Sequence, residues 1–118
     1  MARTADPYQV QAAVGDASTC PQGQCYFTFP QVPVGKRLKL TSVSAQLGDA
    51  ADVIVLEGAG EVAYFVTKCD RALGYLTQVV NFFYEAGNIP TARVFVGPNY
   101  TEHTSLIITL VGILETTS

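Results

Sequence analysis

The chain has few charged residues. Of its 118 residues only 14% are charged, seven of them basic and ten acidic, and the formal net charge is -3. Ordinary soluble domains carry about 25% charged residues. This balance supplies no basic surface that could neutralise a phosphate backbone, so nucleic acid is excluded as a partner. A surface with so little charge must expose apolar and hydroxyl groups, which is typical of surfaces that meet another protein. The alternative is that Thr, Ser, Gln, Asn and Gly residues hydrate the outer faces without any partner.

A long hydrophobic run is also missing. The longest, Leu106 to Leu114, is about half of the roughly 20 residues that a membrane-spanning helix needs, so no membrane span is predicted. The amino-terminal segment from Met1 to Pro7 has no apolar stretch of the kind found in signal peptides. We therefore expect either a cytoplasmic protein or a chain that begins after a cleavage point.

Residue combinations typical of enzymes, cofactor sites and metal sites are absent from the sequence. The single histidine, His103, follows Glu102 in a polar segment, and no Gly-x-Ser-x-Gly sequence offers a nucleophile. Gly58-Ala59-Gly60 lacks the Lys-Ser/Thr ending of a phosphate-binding loop. Asp49 and Asp52 supply too few oxygens for calcium. The sequence thus predicts no enzymatic activity, no cofactor and no metal.

The three cysteines form a close pair and a remote single residue. Cys20 and Cys25 bracket Pro21-Gln22-Gly23-Gln24, and this turn-forming segment favours an approach of the two sulfurs. A metal site is the alternative, but no second cysteine pair or histidine cluster completes four ligands. We predict a Cys20–Cys25 disulfide, a free thiol at Cys69 and an oxidising, extracytoplasmic location that is periplasmic or secreted.

Short apolar or alternating runs, separated by turn residues, fill most of the chain. This pattern predicts an all-β protein, an antiparallel β-sandwich of about eight strands with a jelly-roll-like arrangement, formed by residues 1–118 as a single domain. The first strand is expected at a sheet edge, and the last, which is rich in β-branched residues, at a sheet centre. The predicted strands are Tyr8–Val14, Cys25–Phe29, Arg37–Leu47, Asp52–Leu56, Val62–Val66, Tyr75–Tyr84, Thr91–Val96 and Ser105–Leu114.

Local patterns add detail to these strands. In Arg37–Leu47 the apolar alternation changes phase near Thr41-Ser42, which predicts a β-bulge that keeps both sets of side chains on the core side. The glycines of Glu57–Glu61 predict a hairpin between the two flanking strands. Gly112 indicates a bend or the close approach of another backbone. Tyr75–Tyr84 has apolar side chains on both faces, so we expect it to be covered on both.

One segment resembles a sequence found in small, uncharacterised exported bacterial proteins. It is Val32–Ala45, VPVGKRLKLTSVSA, which is similar to a VPxGKRLxIxxVSA strand that opens a β-sandwich in those proteins. Their last strand ends near Gly-Ile/Tyr-Leu, and Gly112-Ile113-Leu114 matches that ending. The resemblance implies a β-sandwich fold and an exported origin. It implies no reaction and assigns no functional residue.

The first functional hypothesis is a non-catalytic structural or interaction domain that self-associates through an apolar sheet face. One face of a sandwich strand is normally polar, yet Leu76–Tyr84 and Leu106–Leu114 have apolar residues on both faces. Phe82 and Ile107 are candidates for the outward-facing positions. A homo-oligomer or a complex with a protein partner would cover such a face.

The alternative is a β-sandwich module that recognises a ligand such as a glycan. Aromatic rings together with amide groups suit the faces and hydroxyls of sugar rings. In this interpretation the binding residues lie in loops. The candidates are Tyr64, Tyr75, Tyr84, Asn99 and Tyr100.

Overall fold

The computed structural model describes residues 5–15, 19–47, 53–67, 75–96 and 105–116. Within these ranges the protein has eight strands, one short 3-10 turn at Pro21–Gly23 and no α-helix, which confirms the predicted all-β fold. The strands are β1 Ala5–Val14, β2 Gln24–Thr28, β3 Lys36–Gln46, β4 Val53–Ala59, β5 Val62–Thr67, β6 Tyr75–Tyr84, β7 Thr91–Phe95 and β8 Leu106–Thr116.

The strands form two antiparallel sheets of four, packed face to face. The first sheet has the order β1-β8-β3-β6 and the second has the order β2-β7-β4-β5. Strands that follow each other in sequence mostly lie in different sheets, as in a jelly roll. The predictions that β1 lies at an edge and β8 at a centre are confirmed. The remaining edge strands are β6 in the first sheet and β2 and β5 in the second.

The core fills the space between the sheets and is built from alternate residues of each strand. On β8, Leu106, Ile108 and Leu110 are fully buried. On β3 the buried residues are Leu38 and Leu40, then Val43 and Ala45. The alternation of buried residues changes phase between Leu40 and Val43. A register shift between Leu40 and Ser42, present against both β6 and β8, accommodates this change, so the predicted bulge is confirmed.

Gly112 on β8 lies opposite this bulge. It pairs with Leu40, and a Cβ atom at position 112 would lie 2.3 Å from the Lys39 carbonyl oxygen and 3.0 Å from the Leu40 Cα. The Thr41 hydroxyl donates a hydrogen bond of 3.2 Å to the Val111 carbonyl beside it. The close backbone approach predicted for Gly112 is therefore confirmed, and only glycine fits there without a shift of β3.

The hairpin between β4 and β5 is also confirmed. Leu56 pairs with Tyr64 and Ala59 pairs with Val62, with a register shift between the two pairs. Gly58 and Gly60 have φ angles of 99° and 68°, which favour glycine. Because β4 continues to Ala59, it extends beyond the predicted end at Leu56.

The predicted cover over both faces of β6 is wrong for the part of the chain that the structure describes. β6 pairs only with β3, and its core face buries Leu76, Val80, Phe82 and Tyr84. The outer face leaves Tyr75, Val79 and Phe83 exposed by 64%, 83% and 39%.

Phe82, predicted to face outward, is 6% exposed. Its ring packs between the sheets, with centroids 5.4 Å from Tyr64 and 5.1 Å from Tyr84. Because Phe82 and Phe83 are neighbours on one strand, one of them has to face the core and the other the outside. Ile107, the other predicted outward residue, is partly covered on the outer face of β8.

We expect Gly112→Ala to lower the free energy of unfolding by about 1–3 kcal/mol, because the new methyl group meets a backbone oxygen that cannot move without shifting the bulge. Gly15→Ala is the matched control, since a Cβ at position 15 meets nothing within 4 Å. Urea titration of both variants measures the difference. Equal stabilities for the two variants would contradict the close approach at Gly112.

Candidate interaction surface

The predicted disulfide is present and has a structural role. Cys20 and Cys25 are bonded, with their Cα atoms 5.1 Å apart, across the short turn Pro21–Gly23. Cys25 is buried at the start of β2, and the Val96 amide donates a 2.8 Å hydrogen bond to the Gly23 carbonyl. The bond therefore fixes the entry into an edge strand. Cys69 lies outside the described residues.

The residues predicted to bind a ligand do not form one platform among the described residues. Tyr64 lies in β5, and Tyr75 and Tyr84 are the first and last residues of β6, so none of the three is in a loop. Asn99 and Tyr100 fall outside the described residues. Tyr64 is half-buried, Tyr75 is exposed and Tyr84 is completely buried.

The burial of Tyr84 corrects its assignment as a ligand-binding residue. Its ring lies in the core, and its hydroxyl has no hydrogen-bond partner in the described part of the chain. Burial, with smaller contributions from Tyr8 and Glu57, raises the pKa of Tyr84 far above its ordinary value. Burial also raises the pKa of Tyr8. Both tyrosines therefore stay neutral at physiological pH and act as packing residues.

One side of the sandwich is bounded by the edge strands β5 and β6, and we call it the open side. The two strands meet where the Tyr64 ring contacts the Phe82 ring. Neither strand contains a charged residue or a proline. Besides the outer residues of β6, Val62 and Phe65 of β5 are exposed. A large apolar fraction is thus concentrated on two adjacent sheet edges.

A shallow apolar groove of about 330 Å³ lies at one end of the open side. It lies between the β4–β5 turn and the end of β6. Its lining residues are Ala59, Val62, Asn81, Phe82, Phe83, Glu85 and Asn88. The groove extends the apolar surface around the end of β6. Glu85, the residue directly after this strand, is the first charged residue along the chain from Tyr75.

The opposite side of the sandwich has the features that keep sheet edges from pairing. β1 contains Asp6 and Pro7, and the Asp6 carboxylate lies 3.9 Å from the Lys36 ammonium group. β2 has only five residues and begins at the disulfide loop. Charged residues, prolines and short lengths are the usual protection of exposed edges. The open side has none of these features along β6, which is ten residues long.

Among the described residues, the charged groups beside β6 lie near its carboxyl-terminal end. The Arg37 guanidinium lies 5.1 Å from the centre of the Phe83 ring, and its Nη2 atom is 3.5 Å from Glu115 Oε1. This stacking explains why Phe83 is less exposed than Val79. The middle of β6 has no charged neighbour on its own strand.

The outer face of the second sheet is aromatic but has its own internal partners. The Arg93 guanidinium lies 5.0 Å from the centre of the Phe95 ring and forms a 2.8 Å ion pair with Glu57. The Tyr26 hydroxyl donates a 2.7 Å hydrogen bond to Gln24 Oε1. The polar and aromatic groups on this face therefore have partners on their own sheet.

The outer face of the first sheet forms a shallow neutral groove of about 260 Å³. Its walls carry hydroxyl and amide groups from all four strands, and Ser44 and Thr77 share a 3.3 Å hydrogen bond. None of the described residues that line it is charged. The lining residues are Gln11, Ser44, Ala45, Gln46, Tyr75, Leu76, Thr77, Ile107 and Thr109.

In the described ranges no three His, Cys, Asp or Glu side chains are grouped so that they could hold a metal ion. A helix able to cross a bilayer is likewise not found in that part of the chain.

Sequence reasoning missed the open side. It placed the outward position at Phe82 rather than at Val79 and Phe83, and it did not single out Phe65. The predicted strands Val62–Val66 and Tyr75–Tyr84 contain neither a charged residue nor a proline, but this feature does not single them out. It is shared by the predicted strands Tyr8–Val14, Cys25–Phe29 and Ser105–Leu114. That β5 and β6 lie at edges follows only from the pairing of strands that are distant in sequence.

Comparison with known proteins gives similarity at the level of fold. No protein-family model matches the chain, and no curated protein matches it. The chain is similar to the exo-β-1,3-galactanase of Phanerochaete chrysosporium, solved with galactose, with 10% identity and a TM-score of 0.47 over 90% of this chain and 27% of that chain. It is also similar to a chain of the extra small virus virus-like particle of the giant freshwater prawn Macrobrachium rosenbergii, with 12% identity and a TM-score of 0.43 over 100% of this chain and 84% of that chain.

Proposed function

We propose that this protein is a non-catalytic interaction domain that self-associates through its open side. The observation that carries the proposal is the edge strand β6, which runs for ten residues without charge or proline and leaves Val79 83% exposed. A second copy of the same strand offers matching backbone donors and acceptors.

The physical argument starts from the backbone of β6. The side of this strand that faces away from β3 has a row of N–H and C=O groups for which the sheet provides no neighbour. Water can satisfy these groups, but apolar side chains such as Val79 and Phe83 gain further free energy when they leave water, at about 25 cal/mol per Å2. Association therefore satisfies the backbone and removes apolar surface in one step.

The disulfide supports the cellular setting of this function. Disulfides form and persist in oxidising compartments, and Cys20–Cys25 holds the entry into β2. An extracytoplasmic protein with a neutral, apolar edge is a suitable building block for an assembly, since the disulfide preserves its fold outside the reducing cytoplasm.

A second candidate function is the recognition of a neutral ligand such as a glycan in the groove of the first sheet. The observation that favours it is the combination of uncharged hydroxyl and amide groups with the exposed Tyr75 ring. Sugars bind through aromatic faces and neutral hydrogen-bonding groups. This site differs from the loop platform expected from the sequence, because only Tyr75 belongs to both.

We expect the purified protein to have at least a dimeric mass at micromolar concentration, and we expect Val79→Asp to convert it to a monomer. Pairing of two β6 strands would bring the carboxylates at this position close to each other, and like charges on facing strands are destabilising. Multi-angle light scattering measures the mass, and circular dichroism checks the fold. Val34→Asp is the control, since Val34 is 95% exposed in the turn that precedes β3 and is not part of β5 or β6. A monomeric wild-type protein would refute self-association.

For the second candidate, we expect neutral oligosaccharides to shift the amide resonances of β3, β6 and β8 in NMR titrations. Tyr75→Ala should weaken that binding by about tenfold, because stacking on one ring is worth about 1–1.5 kcal/mol. Tyr26→Ala removes an exposed tyrosine from the other sheet and should leave the binding unchanged. The absence of any shift at millimolar ligand would exclude this groove as a glycan site.

A further inference from the structure

We propose that two copies join through β6 in antiparallel register, about a two-fold axis at Val79, so that the two first sheets merge into one sheet of eight strands. This inference rests on the proposed self-association and specifies its geometry. It concerns β6 rather than β5, because β6 offers ten residues for pairing and β5 offers six. An antiparallel pair of identical strands gives a closed, isologous interface.

The faces of the strand limit the possible registers. In a continuous sheet, an outward-facing residue lies opposite another outward-facing residue, because a slip by one position exchanges the two faces. On β6 the outward positions are Tyr75, Thr77, Val79, Asn81 and Phe83. The remaining registers differ in which residue lies on the two-fold axis.

Only the axis at Val79 matches every apolar outward residue with another apolar one. It places Val79 opposite Val79 of the partner subunit and Tyr75 opposite Phe83 of the partner subunit. An aromatic pair across two strands contributes about 0.2–1 kcal/mol relative to alanine. On the core side, the same register sets Leu76 opposite Phe82 of the partner subunit.

The other registers are less favourable. An axis at Thr77 sets threonine against itself and leaves Phe83 without an opposite residue in the strand. An axis at Asn81 sets asparagine against itself and leaves Tyr75 without an opposite residue in the strand. Axes at Gln78 or Val80 place Val79 opposite Thr77 or Asn81 of the partner subunit. Since cross-strand pairs are the unit of sheet stabilisation, the Val79 axis is preferred.

Charge and size both agree with a second copy as the occupant. No charged side chain lies within Tyr75–Tyr84, so no like charges face each other across the axis. A strand of ten residues spans about 34 Å, and the two sheets of a sandwich lie about 10 Å apart. Pairing along this edge buries on the order of several hundred Å2 from each copy, near the lower limit of about 1,000 Å2 in total for a specific interface.

Cysteine cross-linking tests the register. In a Cys69→Ser background, Val79→Cys should form an intermolecular disulfide under mild oxidation, because residues opposite each other on an axis have their Cβ atoms at a distance that a disulfide nearly matches. Val34→Cys is the control for an equally accessible thiol. We expect at least about tenfold more linked dimer for Val79→Cys than for Val34→Cys, because only the former meets this geometric condition.

A second pair of variants reports the register independently. Thr77→Cys and Asn81→Cys should link to each other when the two proteins are mixed, and each should link to itself much less. Peptide mass spectrometry identifies the linked positions. If the Cys69→Ser protein does not fold, the same experiment is done with Cys69 retained, because the peptides show which cysteines are linked.

The outcomes separate this inference from the proposed function. A dimeric mass together with self-linking of Thr77→Cys or Asn81→Cys, or with no link at Val79→Cys, would overturn the register and leave self-association standing. A monomeric mass with no specific link at any position would overturn both.

Discussion

The outer edge of β6, along which no described strand pairs, is the constraint on which the surface chemistry of this protein depends. A sandwich of two open sheets has four edge strands, and each edge must be protected, covered or paired. β1 is protected by Asp6 and Pro7, and β2 by its short length and the disulfide loop. β6 is long, neutral and apolar on its outer face. Pairing with another copy is the solution that we propose for this edge.

The outer face of β6 is determined by the core beneath it. Phe82 and Tyr84 pack between the sheets, and the Phe82 ring contacts Tyr64 of the opposite sheet. Because side chains alternate along a strand, this packing directs Val79 and Phe83 outward. The bulge at Leu40–Ser42, which Gly112 accommodates, sets the register of β3 against β6 and so keeps both halves of β6 in phase with the core.

Features controlled by neighbouring residues could be predicted from the sequence. The disulfide follows from a short turn, the bulge from a phase change in one strand, and the hairpin from glycines between two apolar runs. The position of β6 at an edge could not be predicted, because it depends on pairing with β3, about forty residues earlier in the chain. For the same reason the sequence did not distinguish Phe82 from Phe83, or a buried Tyr84 from an exposed Tyr75.

Backbone hydrogen exchange measured at two protein concentrations tests most directly whether β6 is where copies meet. At high concentration the amides of Tyr75–Tyr84 that point away from β3 should exchange more slowly than at low concentration, because pairing removes them from water. The amides of the β1 and β2 edges should not change. Exchange of the β6 amides that is independent of concentration, or slowing confined to β1 or β2, would contradict this account.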